Sequence, residues 1–434
     1  MPDFSPFCGY RFSSALDARI SRILSPPYDK ISRKELPSLW EADPLNCSRL
    51  VLPPPDVAEG DFATESAAKV SDWYAGSRRF LDNWIQEGFL VQDPLSFYFY
   101  CQEFLLDGKS YQRWGVLGAL SLEDNRKTLL HERTFEGPKA DRFRLIRETQ
   151  ANLCSIFLVA TDPDRELLSI ATNLDHPQLD CATPDGVRHK LHIVSDKETI
   201  ERTRNALMNS TVMIADGHHR FETALNYRAW AAENLEENRQ SPSNHVMAYV
   251  SPVDQEGMIV LPTHRLVRNL GDNWLDTLNR ATNIVLREIH GSANELLHEL
   301  RKMPETDVVL GATDGDQFHL VIRRREPSAE MYPDIHPALW NLDVTFLHSM
   351  VLRGILRVDE SRSGAISYFR DPQEATTAAG EDPGSGVFFL RAPNPQTIMK
   401  VSESGERMPQ KSTDFYPKIP TGLVIRLLRE PPSL

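Results

Sequence analysis

In the stretch TVMIADGHHRFETALNY, residues 211–227, an aspartate, a glycine, two histidines and an arginine stand in a row between an apolar run and an amphipathic one. Consecutive positions without an aliphatic side chain make a poor core segment and a good place for chemistry. The run before them is apolar and β-branched and reads as a buried strand. Beyond Arg220, the residues Phe221, Ala224, Leu225 and Arg228 fall on one helical stripe, with Trp230 beside it. The unit is therefore strand, tight turn, helix, with Gly217 giving the turn its backbone freedom. His218, His219 and Arg220 then occupy the first helical turn, where N–H groups lack intrahelical partners and the dipole favours anions. Cations are unfavourable there by themselves. A bound anion removes the objection, because amides, imidazoles and guanidinium converge on it. The pattern reads as a phosphate cradle. The plainer alternative is a helix capped by Asp216 with incidental surface basic residues. Zinc on both histidines is disfavoured, because adjacent helical residues point about 100° apart.

Other stretches carry candidate groups. HERTFEGPKADR supplies His131, Glu132, Arg133, Lys139 and Arg142; it is not the HExxH pattern of zinc proteases. Glu132 suits a general base or a magnesium ligand. SPPYDKIS places Tyr28 and Asp29 after two prolines that stiffen the loop. MPQKSTDFYPK gathers Lys411, Ser412, Thr413, Tyr416 and Lys418, a lysine followed by two hydroxyls that suits phosphate oxygens, without the glycine pattern of a Walker A loop. So elaborate a segment near the chain end is expected to return to the same cleft as the turn. His189 and His192 in RHKLH point to opposite faces of a strand and do not chelate one metal.

Composition narrows the classes. A chain of 434 residues, 41% hydrophobic and 25% charged, is globular. A net charge of −13 argues against nucleic-acid binding and leaves room for a small anion in a local cationic pocket. Five widely spaced cysteines without CxxC argue against disulfides and zinc knuckles and for a reducing cytoplasm. No signal peptide and no membrane-spanning run is evident.

Several elements must position these residues. Residues 67–90 read as a helix, and Asp107-Gly108 between two strand-like runs reads as a hairpin. A second hairpin is expected at Asp314-Gly315, and PALWNLDVTFLHSMVLRGIL reads as one long helix. The class is α+β with mixed sheets. The expected regions are 1–200, an N-terminal α+β part; 201–335, carrying the turn; and 336–434, folding back onto the cleft.

The sequence IADGHHRFETAL resembles the signature of the bacterial and archaeal domain-of-unknown-function family 1015, and SPPYDKIS, HERTF and MPQKSTDFYPKIPTGLVI resemble its other marks. The likeness runs nearly end to end. The turn is also similar to the phosphate-binding turn of the ParB/sulfiredoxin superfamily, which includes free serine kinases with a D-G-H-x-R turn. Asp216, Gly217, His218 and Arg220 match it, and His219 takes the variable place. This resemblance implies a ParB/sulfiredoxin-like strand–turn–helix core around residues 211–230.

The expected function is phosphoryl transfer between a nucleotide, ATP or ADP with magnesium, and a small hydroxyl compound. Free serine is the first candidate, by analogy alone. Asp216, Glu132 and His218 are the expected catalytic residues, with Asp216 also the magnesium ligand. Gly217, His218, His219, Arg220, Lys411, Ser412 and Thr413 would hold phosphates. Tyr28, Asp29, His131, Arg133, Tyr416 and Lys418 would hold the substrate. The rivals are a non-catalytic nucleotide- or phosphate-binding module of ParB type and a phosphate-ester hydrolase. Sulfiredoxin-type redox chemistry ranks last because the turn has no cysteine. Small-molecule partners are expected, with no nucleic acid and no membrane; the oligomeric state stays open.

Overall fold

The computed structural model describes residues 3–58, 67–123, 128–130, 137–208, 210–235, 238, 241–332 and 334–432. The chain forms two compact units, one built from Met1–Leu130, Thr134–Ile259 and Pro417–Leu434, the other on Val260–Tyr416. The class is α+β with mixed sheets.

The first unit is organised by one large sheet. Its strands run in the order Thr128–Leu130, Val212–Asp216, Ile156–Ala160, His245–Pro252, Lys109–Ser121, Phe97–Leu106, Arg188–Val194 and Leu179–Ala182, with Phe4–Ser5 added beside Lys109–Ser121. Val212–Asp216 is parallel to Thr128–Leu130 and antiparallel to Ile156–Ala160, which is parallel to His245–Pro252. The long hairpin turns at Asp107-Gly108, both with positive φ (49° and 77°), the two-residue geometry that an Asp-Gly pair favours. One face of the sheet buries Phe97, Val116, Ile156, Leu158, Ile214 and Val250 against Phe221 and Ala224 of the helix His218–Asn234. That helix is buried on a second side too. Tyr227 and Ala231 pack with Ile146 and Leu428.

The last residues complete this unit. Arg426–Leu427 pairs with Ala151–Asn152, and Ile425 and Thr421 form bridges to Tyr10 and Ser25. The buried Arg426 guanidinium donates to Asn152 Oδ1 and to the carbonyls of His245 and Pro242, at 2.9–3.2 Å.

The second unit holds a six-stranded antiparallel sheet in the order Ile284–Ile289, Phe318–Arg323, Val309–Thr313, Gly386–Phe389, His264–Val267 and Ile366–Phe369. Its core places Leu296 and Leu300 of the helix Ala293–Lys302 against Val309, Leu320 and Phe389. The hairpin expected at Asp314-Gly315 is present, with Thr313 opposite Phe318 across a longer loop. The long helix expected from residue 337 is interrupted. Leu342 is extended (φ −93°, ψ 131°), and the carboxylate of Asp343 is fixed by Arg391 and by the Val309 amide. Beyond this break, Phe346–Ile355 forms a π-helix. Among the described residues no helix is long and apolar enough to cross a membrane.

Close packing in the large sheet depends on glycine at one crowded position. A Cβ on Gly115 would lie 2.5 Å from Tyr249 Cζ and from the Val250 carbonyl oxygen, which is backbone and does not move aside cheaply. Gly115→Ala is therefore expected to destabilise the protein by about 1–3 kcal/mol, the usual cost of overpacking. A urea denaturation curve with an unchanged midpoint would contradict this.

Candidate functional site

The strand Val212–Asp216 carries a register slip at its end: Ile214 stands opposite Leu158, yet Asp216 stands opposite Phe157. Such a bulge re-aims the side chain beyond it. Gly217 then takes φ 90°, ψ 30°, the left-handed region that glycine enters at no steric cost. A Cβ there would come to 3.0 Å of the Arg220 guanidinium carbon. The helix starts at once, with Gly217 as its N-cap and no side-chain cap. Asp216 thus does not serve as the cap, and the Phe221 amide makes its bond to the Gly217 carbonyl at 2.9 Å. His218, His219 and Arg220 occupy the first turn.

Asp216 is the hub of the arrangement. Its Oδ2 accepts from Arg220 Nη2 at 2.5 Å and its Oδ1 from Lys418 Nζ at 2.9 Å. The three side chains are only 20%, 14% and 15% exposed. Burial pushes the carboxyl of Asp216 up, but the charges of Lys418 and Arg220, the Lys418 hydrogen bond and the charge of Lys30 outweigh it and hold the group well below the usual carboxylate range. Burial acts against the charge of Arg220, and Asp216 foremost, then Cys154, Asp29 and Tyr28, outweigh that and raise its pKa. Arg220 also donates to the Ser155 carbonyl.

A further layer surrounds the hub. Tyr28–Lys30 is a short 3₁₀ turn after Pro27. The Arg142 guanidinium lies 4.2 Å over the Tyr28 ring and donates to the Val51 carbonyl at 2.9 Å. Burial raises the Tyr28 hydroxyl pKa, while Arg220 and Arg142 oppose it. Cys154 Sγ stands 3.1 Å from Thr421 Oγ1, and Thr421 exchanges backbone hydrogen bonds with Ser25 at 2.8 and 3.2 Å. The proline-stiffened loop, the turn and the chain end thus form one cluster.

Lys418 is aimed from behind. Gln102 Nε2 donates to its carbonyl at 2.9 Å, and the fully buried Arg113 donates to the Pro417 carbonyl and to Gln102 Oε1. The Arg113 guanidinium rests 4.7 Å from the Phe157 ring centroid, next to the position opposite Asp216.

Of the residues singled out in the sequence, the first unit gathers Asp216, Gly217, His218, His219, Arg220, Tyr28, Asp29 and Lys418. Lys411, Ser412, Thr413 and Tyr416 belong to the second unit. There Lys411 has φ 54° and its carbonyl accepts from Arg265 at 3.1 Å; Ser412 is buried. His131, Glu132 and Arg133 lie outside the described residues. Lys30, Gln102, Arg113, Cys154, Ser155 and Thr421 join the cluster in addition to those residues. Lys30 was detectable, since it comes directly after Asp29 in the same stretch. Gln102 and Arg113 had no local signal, because their role arises only when the hairpin meets the chain end.

The family described as a protein of unknown function, DUF1015, matches residues 4–345. The chain belongs to the DUF1015 family. No curated protein matches the sequence. Among solved structures, the chain is similar to a C-terminally truncated SbnI from Staphylococcus aureus, at 13% identity over 73% of this chain and 90% of that one, with a TM-score of 0.34. A conserved hypothetical protein from Pyrococcus furiosus is 14% identical over 72% and 95%, with a TM-score of 0.33. A free serine kinase in complex with AMP is 13% identical over 71% and 92%, with a TM-score of 0.33.

The electrostatics of the hub give this DUF1015 chain a pH signature. A carboxyl whose folded pKa is depressed stabilises the fold above its unfolded value, near 3.9, and loses that contribution as pH falls through the folded value. Asp216→Asn leaves two buried cations without their counter-charge, so it is expected to destabilise by about 3–5 kcal/mol at neutral pH. The gap from the unsubstituted protein, read by denaturant titration, is expected to narrow only below about pH 4. A gap that is the same at pH 3.5 and pH 7, or absent at pH 7, would contradict the assignment.

Proposed function

We propose that the Asp216 turn binds the phosphates of a nucleotide and that the protein transfers a phosphoryl group between ATP or ADP and a small hydroxyl compound, with free serine the first acceptor to test. The observation that carries this reading is a glycine-bent strand-to-helix turn whose first helical turn is His218-His219-Arg220, with Lys418 brought beside it from the chain end. First-turn amides and fixed cations in a largely buried setting are what phosphoryl transfer asks of a protein, since positioning and charge stabilisation supply most of its catalysis. His218 and His219 would face the phosphates. Tyr28 and Asp29, on the stiff loop, would face the acceptor.

The depressed carboxyl of Asp216 supports a narrower part for it. A carboxylate held so far down is a weak base, so Asp216 would act as a permanent negative charge that orients Arg220 and Lys418. Glu132 is then the candidate proton acceptor. Magnesium fits Asp216 poorly, because each carboxylate oxygen already accepts from a cation of the chain. Among the described residues no group of three His, Cys, Asp or Glu could hold a metal.

The same pairing favours one second reading. With both oxygens of Asp216 engaged, the cluster would serve to fasten the chain end to a phosphate-binding module that does no chemistry.

Pure protein incubated with ATP or ADP, magnesium and serine is expected to yield phosphoserine by mass spectrometry. Arg220→Ala should weaken nucleotide binding by about 1.5–3 kcal/mol, the range for charged hydrogen bonds. Loss of Glu132 should abolish turnover while nucleotide still binds. Nucleotide binding without transfer to a panel of hydroxy acids, amino acids and polyols would establish the binding module instead. No nucleotide binding at all would overturn both.

A further inference from the structure

A second candidate site lies wholly within the Val260–Tyr416 unit and does not depend on the reading of the Asp216 turn. A cavity of about 880 Å³ is lined by residues between Asp334 and Gln410. That volume falls in the range of small-molecule pockets. The family match stops at residue 345, and most of this lining, though not Thr345, comes from the part of the chain beyond it.

The cavity wall contains an unusual element. Phe346–Ile355 is a π-helix, with the Leu356 amide bonded to the Val351 carbonyl at 2.9 Å. Such stretches are rare and are enriched at functional sites. It places His348 and Arg353 on the lining, five residues apart and so about one turn apart in this kind of helix. His348 Nδ1 is 2.5 Å from Glu360 Oε2. If the imidazole is neutral, this bond puts its proton on Nδ1 and leaves Nε2 an acceptor.

Three side-chain atoms of the lining are buried without a hydrogen-bond partner among the described residues: His348 Nε2, Glu360 Oε1 and Thr345 Oγ1. A buried polar atom left unpaired costs about 1–3 kcal/mol, and native chains leave few. Three around one cavity suit a group that the chain does not itself supply. The carboxylate oxygen is an acceptor, the ring nitrogen is one in the neutral Nδ1–H tautomer, and the hydroxyl serves either way. They would be satisfied by a donor-rich cation such as an ammonium. Arg353 and Arg407 line the same cavity and present forked donors suited to carboxylate or phosphate, and with Arg362 they balance the charges of Asp334, Glu360 and Glu406.

We propose that this cavity binds a small zwitterion, an amino acid or an amine-bearing phosphate ester. Its ammonium sits among Thr345, His348 and Glu360, and its oxyanion sits against Arg353 and Arg407. The occluded position of the acceptor atoms means that the side chains at the base shift slightly when the ammonium enters. The volume leaves room for a side chain on the ligand.

Titration calorimetry and thermal unfolding on the full chain test this with glycine, L-serine, L-aspartate, L-arginine and O-phospho-L-serine. Lactate, ethanolamine and inorganic phosphate provide the single-charge controls. At least one zwitterion is expected to bind and raise the unfolding midpoint, at least tenfold more tightly than each control. Arg353→Ala, at an exposed position that leaves the fold intact, and Glu360→Gln, which keeps the shape of the base, should each weaken it at least tenfold. Nucleotide binding by the Arg353→Ala and Glu360→Gln proteins should be unchanged, so that loss of function at the turn and loss of this site are told apart. No binding by any zwitterion would overturn the proposal. So would equal binding of lactate or phosphate, or binding indifferent to both Arg353→Ala and Glu360→Gln.

Discussion

The ion pair between Lys418 and Asp216 spans 202 positions of sequence, and the first unit is arranged around it. A carboxylate placed at a mostly buried strand end would be costly alone. Arg220, one helical turn on, supplies one counter-charge locally. The second comes from Lys418, in the segment Pro417–Leu434 that completes the unit begun by the N-terminus. The Arg426 hydrogen bonds and the Thr421–Ser25 bridge fasten that return on both sides.

The same constraint accounts for polar groups deep in the large sheet. Arg113 is fully buried, where a guanidinium is normally unwelcome. Its donors hold Pro417 and Gln102, and Gln102 holds Lys418. The hairpin with the tight Asp107-Gly108 turn thereby sets the backbone from which the lysine reaches forward. The bulge at Ala215 and the left-handed Gly217 set the carboxylate from the other side. Asp216 and Lys418 are thus each held through the backbone from which they project.

Local chemistry was legible in the sequence; convergence largely was not. The strand–turn–helix around residues 211–230 could be read from apolar runs flanking a glycine, and the Asp-Gly hairpins from turn geometry. The composition of the KSTDFYPK segment marked it as worth holding, and the structure brings its last residue, Lys418, to Asp216, while Lys411 to Tyr416 fall in the other unit. The buried Arg113–Gln102 support had no periodicity or motif, because it exists only through pairing across the sheet. The break before Asp343 was hidden for a similar reason: an apolar run reads as one helix until Arg391, 48 residues on, claims the aspartate in its middle.

Hydrogen–deuterium exchange with and without saturating ADP bears most directly on the claim that the Asp216 turn is a phosphate site. Amides at the first helical turn exchange readily unless a ligand or a cap engages them. Peptides covering residues 214–222 are predicted to slow on adding ADP, and to regain their original exchange when Lys418 is replaced by Met. Binding of ADP that leaves these peptides unchanged while protecting another part of the chain would contradict the account.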